Sequence, residues 1–241
     1  DAAHKLTILA SIAYGVHLDF KSVHVEGISD ITQDDIIYAR ELGYRIKHLG
    51  IARRLPNGLD LRVHPCLVGD DHLLSSVSGV MNAIVVNGDA VGETLLYGAG
   101  AGAQPTASAV IADLVDVVRT LTSDPGNRVP HLAFQPAALA APGIVPLSEI
   151  VCAHYLRLTV DDRPGVLADI TRILGDYQVS IEAIRQQGSA DALGNVPVVI
   201  VTHRALEANV AMAVLEIEAL STIARAATRI RLETLEISVD E

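Results

Sequence analysis

Asp1 and Lys5 stand four residues apart at the start of a run, Lys5-Leu6-Thr7-Ile8-Leu9-Ala10-Ser11-Ile12-Ala13, that already reads as the middle of a helix. That spacing puts a carboxylate and an ammonium on one helix face, within reach of each other. The pair has two readings. It is either a solvated surface ion pair or a piece of chemistry, with Lys5 giving a proton to a carbonyl oxygen as hydride arrives and Asp1 holding the substrate's amino or hydroxyl group. A lysine of ordinary pKa, about 10.4, is a weak acid at neutral pH. The second reading therefore needs a closed site, or an oxygen that becomes strongly basic in the transition state.

Two further stretches could meet a ligand. Gly98-Ala99-Gly100-Ala101-Gly102-Ala103 follows a predicted strand and opens a predicted helix, and Gly98, Gly100 and Ala103 satisfy the G-x-G-x-x-G/A pattern. Backbone without Cβ atoms at a helix start can approach a phosphate or an electron-rich ring. A full dinucleotide fold needs a second strand ending in an acid, yet a proline-rich stretch follows this helix, so tight strand-to-helix packing is the competing explanation. In the second stretch, Asp162-Arg163-Pro164-Gly165 leads into a helix at Val166. It either offers N–H groups to a carboxylate or is an ordinary turn. The histidines show no metal-ligand spacing, so no metal is expected, and His64 is expected on a strand surface. No G-x-S-x-G surrounds Ser75, Ser76 or Ser78. Cys66 is expected as a small core residue rather than a nucleophile.

These groups must be positioned by a mixture of helices and strands. The pattern predicts a helix over 1–14, an extended segment over 16–29, and a helix capped by Thr32 that runs to about Leu42 and stops at Gly43. Strands follow over 44–53 and 59–68 around Pro56-Asn57-Gly58, then a hairpin of 82–87 with 92–97. A helix over 106–121 has Pro105 at its first position. Five of the ten prolines fall between Pro125 and Pro146, where no periodicity survives, so 122–152 is read as an inter-domain linker. The pattern then restarts, with strands over 153–160, 179–187, 196–203 and 229–238 and helices over 166–177 and 207–221. That is the βαββαβ order of a ferredoxin-like unit. So small a sheet leaves an edge or face open, and pairing with a second copy is expected.

Composition removes several function classes. Half the residues are apolar, which excludes wholesale disorder. With six Tyr, two Phe and no Trp, the core must be aliphatic. A net charge of −11 is unsuited to duplex nucleic acid, which needs clustered cations. No apolar run approaches the roughly 18–20 residues that span a bilayer. Two cysteines and no export signal fit the cytoplasm. The abrupt helical start at Asp1 is expected to belong to a longer protein.

Three separated runs, DAAHKLTILASIAYG, VEGISDITQDDIIYARELGYRIKHLGIA and YGAGAGAQPTASAVIADLVD, together resemble bacterial homoserine dehydrogenase over about residues 1–121. Residues 153–238 resemble an ACT domain, an amino-acid-sensing module, with DRPGVLADIT as its first turn and helix. The resemblance implies an α+β fold: a substrate and dimerisation region (1–121) with a mixed sheet, the linker (122–152), and a ferredoxin-like ACT regulatory domain (153–241). It implies NADP- or NAD-dependent interconversion of L-homoserine and L-aspartate 4-semialdehyde, toward threonine, methionine and isoleucine. Lys5 matches the family's catalytic proton donor and Asp1 a substrate-binding aspartate. Gly102, with Gly100, matches the loop that touches the nicotinamide nucleotide. Asp162, Pro164, Gly165 and Val166 would bind the amino-acid effector, with threonine expected. A homo-oligomer, dimer or tetramer, is implied. The family's nucleotide-binding region has no counterpart in these residues, so the chain alone is expected to be inactive. The alternative is a non-catalytic module for amino-acid binding and dimerisation.

Overall fold

The structure, a computed structural model, describes residues 1–121, 129–130, 132–141, 143–186 and 191–235. Helix α1 (Ala2–Tyr14) buries Ala3, Leu6, Thr7, Ala10 and Ser11, a stripe at helical spacing, and ends where Gly15 adopts φ +64° and its N–H returns to the Ser11 carbonyl. The expected extended segment over 16–29 is mostly irregular. Asp19 caps a short turn at Phe20–Ser22, and only β1 (His24–Val25) is strand. Helix α2 (Gln33–Glu41) has a reciprocal capping box between Thr32 and Asp35.

Strands β2 (Tyr44–Leu55) and β3 (Gly58–Gly69) pair along their whole length. Gly58 is required at their turn. It has φ +150°, and a Cβ there would lie 2.2 Å from the Gly143 carbonyl oxygen. Strands β4 (Met81–Gly88) and β5 (Gly92–Ala99) form a separate hairpin that leads into α3 (Ala103–Leu121), whose side chains are all exposed. Pro105 is its third residue, not its first.

The stretch read as a linker falls partly outside the described residues. The rest of it lies against the first region: Ala140 bridges Val16, and Ile144 bridges Leu59. Beyond it come β6 (Val151–Asp161), α4 (Val166–Asp176), β7 (Ile181–Gln186), β8 (Asn195–Thr202), the short β9 (Ala205–Leu206), α5 (Glu207–Glu218) and β10 (Ile223–Leu232). The order β10-β6-β8-β7 is the ferredoxin-like sheet. Its last strand starts at Ile223 rather than 229, because register shifts between Ile223 and Thr228 blur the alternation. It ends at Leu232, and 236–238 lie outside the described residues. Helix α5 stops at Glu218, short of the expected 221. Leu156, Leu158, Ile170, Ile173, Leu174, Val198, Ile200, Val210 and Ile217 make the aliphatic core under α4 and α5.

The chain itself covers one edge and one face of the ferredoxin-like sheet. β10 pairs in parallel with β3 through Arg231↔Cys66 and Leu232↔Leu67, so the sheet runs on into the first region. The face opposite α4 and α5 is covered by α2, whose Ala39 packs with Tyr155, Val199, Val201, Ile230 and Leu232. Among the described residues, the outer edges of β7 and β2 pair with no further strand. Among the described residues, no helix is long and apolar enough to cross a membrane.

Candidate functional site

The structure joins Asp1 and Lys5. Lys5 Nζ lies 2.9 Å from Asp1 Oδ2 on the outer face of α1, and both side chains are largely exposed. The carboxylate does not cap its own helix. Ile8, Leu9 and Ile12 share that outer face and are 47%, 41% and 40% exposed. A charged pair on an uncovered apolar face has one wall of a closed site and lacks the other.

The glycine loop lies elsewhere and belongs to the β4–β5 hairpin. Gly100 N–H donates to the Val80 carbonyl at 3.1 Å, and a Cβ at Gly100 would strike Asn82. Gly102 has φ +121°, which favours glycine, and starts α3 by accepting from Thr106 N–H. A Cβ at Gly98 would meet open space. The loop thus presents bare backbone at the start of a 19-residue helix, which fits approach by a nicotinamide nucleotide. The described residues supply no acid-ended second strand to hold its ribose. Gly100 and Gly102 could touch such a cofactor, but they do not make a nucleotide site by themselves.

Asp162, Arg163, Pro164 and Gly165 form one exposed turn at the end of β6, and Val166 is buried beneath it. Asp162 N–H donates to the Gly194 carbonyl. Gly165 sits at the N-cap of α4 with φ +95° and provides no capping side chain. The first N–H groups of α4 are therefore left for solvent or a ligand.

Sequence reasoning missed the largest polar feature, a buried charge network across β3, β10 and β6. Arg231 donates to Glu26 at 2.8 and 2.9 Å and to Glu207 at 2.7 and 3.1 Å. Glu233 accepts from Arg53 and pairs with Arg62, which also pairs with Asp60. Burial pushes Glu26 and Glu207 up, but hydrogen bonds from His24 to Glu26, from His154 to Glu207 and from Arg231 to both, with the Arg231 charge, hold them far below the usual carboxylate range. The available signal was the alternation Asp60-Leu61-Arg62-Val63-His64 and Arg229-Ile230-Arg231-Leu232-Glu233, which mimics a solvent face.

His64 is fully buried, not on a strand surface, because β10 lies beside β3. Arg62 Nη1 lies 3.2 Å from its Nε2, and a guanidinium only donates. Nε2 must therefore accept, leaving Nδ1–H to donate to the Pro65 carbonyl. Burial, then the Arg231 charge, push its pKa down to about 4, and burial also lowers His154. A depressed histidine stabilises the fold above the unfolded value of about 6.5, and that stability is lost as pH falls toward 4. Lowering pH from 7 to 5 should thus cost about 2 kcal/mol through His64 alone. Urea midpoints for wild type and His64→Gln check this: the variant should lose less stability over the interval, and equal losses would contradict the assignment.

Two buried trios, His64–Cys66–Glu233 and Cys152–His154–Glu207, have metal-ligand atoms close together. They do not suit a cation. Arg62, Arg229 and Arg231 already pair with their carboxylates and would repel one. Cys66 is core, as expected, and burial raises its thiol pKa.

The homoserine dehydrogenase family model matches residues 1–115 and the ACT domain model residues 154–219. A homoserine dehydrogenase from Pseudomonas aeruginosa is 55% identical over 98% of this chain and 54% of its own length. One from Bacillus subtilis is 38% identical over 87% of the chain and 47% of its own. The crystal structure of a homoserine dehydrogenase from Thiobacillus denitrificans superposes with a TM-score of 0.89 at 56% identity, covering 98% of this chain and 53% of that one. The chain spans about half the length of the curated relatives it matches. Residues 1–115 therefore belong to the homoserine dehydrogenase family, and residues 154–219 are an ACT domain.

Proposed function

We propose that this chain forms the substrate-binding and regulatory part of a cytoplasmic, oligomeric homoserine dehydrogenase. The enzyme interconverts L-homoserine and L-aspartate 4-semialdehyde with NADP or NAD, toward threonine, methionine and isoleucine. The observation that supports this best is the Asp1–Lys5 pair on the uncovered apolar face of α1, within the residues that match the family. Asp1 binds the substrate's amino or hydroxyl group, and Lys5 Nζ gives its proton to the carbonyl oxygen during reduction and regains it during oxidation. A bound nicotinamide would supply or accept the hydride, with backbone at Gly100 and Gly102 touching it. Closure over Ile8, Leu9 and Ile12 would exclude water, which the weak acid requires. The exposed turn of Asp162, Pro164 and Gly165, with Val166 below, receives an amino-acid effector, threonine by expectation, its carboxylate at the start of α4.

The second reading, an amino-acid-binding module without catalysis, is favoured for the isolated chain because the described residues contain no acid-ended strand after α3 to hold a ribose. Purified as these 241 residues, the protein should bind L-threonine in a calorimetric titration yet consume no NADPH with aspartate semialdehyde. NADPH consumption would refute the division of labour, and absence of heat would leave the ACT domain without its assigned effector.

A further inference from the structure

Asp35 does two jobs at once. Its carboxylate accepts from Thr32 N–H at 2.9 Å within the cap of α2. It also receives Arg157 of β6, through Nε at 2.6 Å and Nη2 at 3.0 Å, and the Tyr155 hydroxyl at 3.1 Å. Asp35 is fully buried and the Arg157 side chain is 15% exposed. This is a two-pronged guanidinium clamp, the geometry that best fixes one element against another. At the far end of α2, Arg185 of β7 pairs with Glu41 at 3.6 Å, but that pair is solvent-exposed and weak.

The clamp stands between the two candidate sites. Strand β6 carries Tyr155 and Arg157 and runs directly into the turn of Asp162–Gly165. Helix α2 packs on β2, and β2 also carries α1. Leu6 sits so close over Gly50 that a Cβ there would be 3.4 Å from its Cδ1, and the Tyr14 hydroxyl donates to the Ala52 carbonyl at 2.9 Å. Among the described residues, the effector turn and the Lys5 helix are thus joined through one strand, one buried ion pair, one helix and one strand.

We propose that Asp35 is a positioning residue that couples the amino-acid effector at the 162–165 turn to substrate at α1. The inference rests on the effector reading given above. Coupling between two ligands is reciprocal, so bound homoserine must change the effector's affinity for as long as the clamp is intact.

The test is calorimetric titration of L-threonine into the full-length enzyme, with and without saturating homoserine, for wild type, Asp35→Asn and Arg157→Lys. Arg157→Lys keeps the Thr32–Asp35 capping box and a cation beside Asp35, and removes the two-pronged contact together with the Arg157 Nη2 bonds to Thr32 Oγ1 and Thr228 Oγ1. Wild type should bind L-threonine at least fivefold differently in the two conditions. Both variants should bind it within threefold of wild type when homoserine is absent, show a ratio near one, and keep kcat within threefold. Variants that retain the wild-type ratio overturn the coupling alone. Variants that lose effector binding altogether make Asp35 structural and also overturn it. A wild type that binds no L-threonine overturns the effector reading, and the coupling falls with it.

Discussion

Replacing Lys5 with alanine in the full-length enzyme is expected to lower kcat about 10²–10⁴-fold, the usual consequence of losing a positioned acid-base group. That is about 3–5 kcal/mol of barrier. The loss should fall on kcat more than on KM, because the proton moves only in the transition state. Lys5→Arg separates proton transfer from simple charge. It keeps a cation opposite Asp1, but a guanidinium does not release its proton at any working pH. It should resemble alanine in kcat and wild type in KM. A drop of less than threefold in Lys5→Ala would remove Lys5 from the mechanism.

The second large effect is on stability. The Arg231 guanidinium is almost completely buried between Glu207, itself buried, and Glu26, which is a third exposed. Arg231→Met strips a buried carboxylate of its main counterion, a change that typically costs about 3–5 kcal/mol. Glu207 keeps His154 at 2.8 Å and Arg229 at 3.1 Å, which holds the expected loss near the lower figure, about 3 kcal/mol. Arg231 of β10 reaches to Glu26, just after β1, while Glu233 reaches to Arg53 of β2 and Arg62 of β3. The two regions should therefore unfold together, and Arg231→Met should move one urea transition without splitting it. A loss below 1 kcal/mol, or two separated transitions in wild type, would contradict this account of the network.

Local patterning was readable wherever one face of an element meets one kind of environment. The Thr32 cap, the β2–β3 hairpin and the βαββαβ order all follow from spacing and turn chemistry alone. The apolar spacing of Leu6, Leu9, Ile12 and Ala13 marked α1 as a helix but not its buried face, which is Ala3, Leu6, Thr7, Ala10 and Ser11. What failed depends on a neighbour remote in sequence. His64 alternates like a surface residue and is buried because β10, more than 150 residues later, lies alongside it. The network of Arg62, Arg231, Glu207 and Glu233 looks like solvated charge until the strands are placed together. Thr32 was readable as the cap of α2, but the pairing of Asp35 with Arg157 was not, because Arg157 lies on a strand 122 positions away. The same applies to the free edge: a ferredoxin-like sheet taken alone has more open surface than one whose edge and face are filled by β3 and α2. Of the candidate site, the Asp1–Lys5 pair was legible because it is local. The surface that must close over it was not, because the described residues do not contain it.

As proposed above, Lys5 is the proton donor of a homoserine dehydrogenase. The most direct measurement is the initial rate of NADPH oxidation by the full-length protein with L-aspartate 4-semialdehyde, wild type beside Lys5→Ala. Saturable, semialdehyde-dependent oxidation is expected in the wild type, and a rate at least a hundredfold lower in the variant. NADPH oxidation that ignores the semialdehyde, or that survives the loss of Lys5, would contradict it.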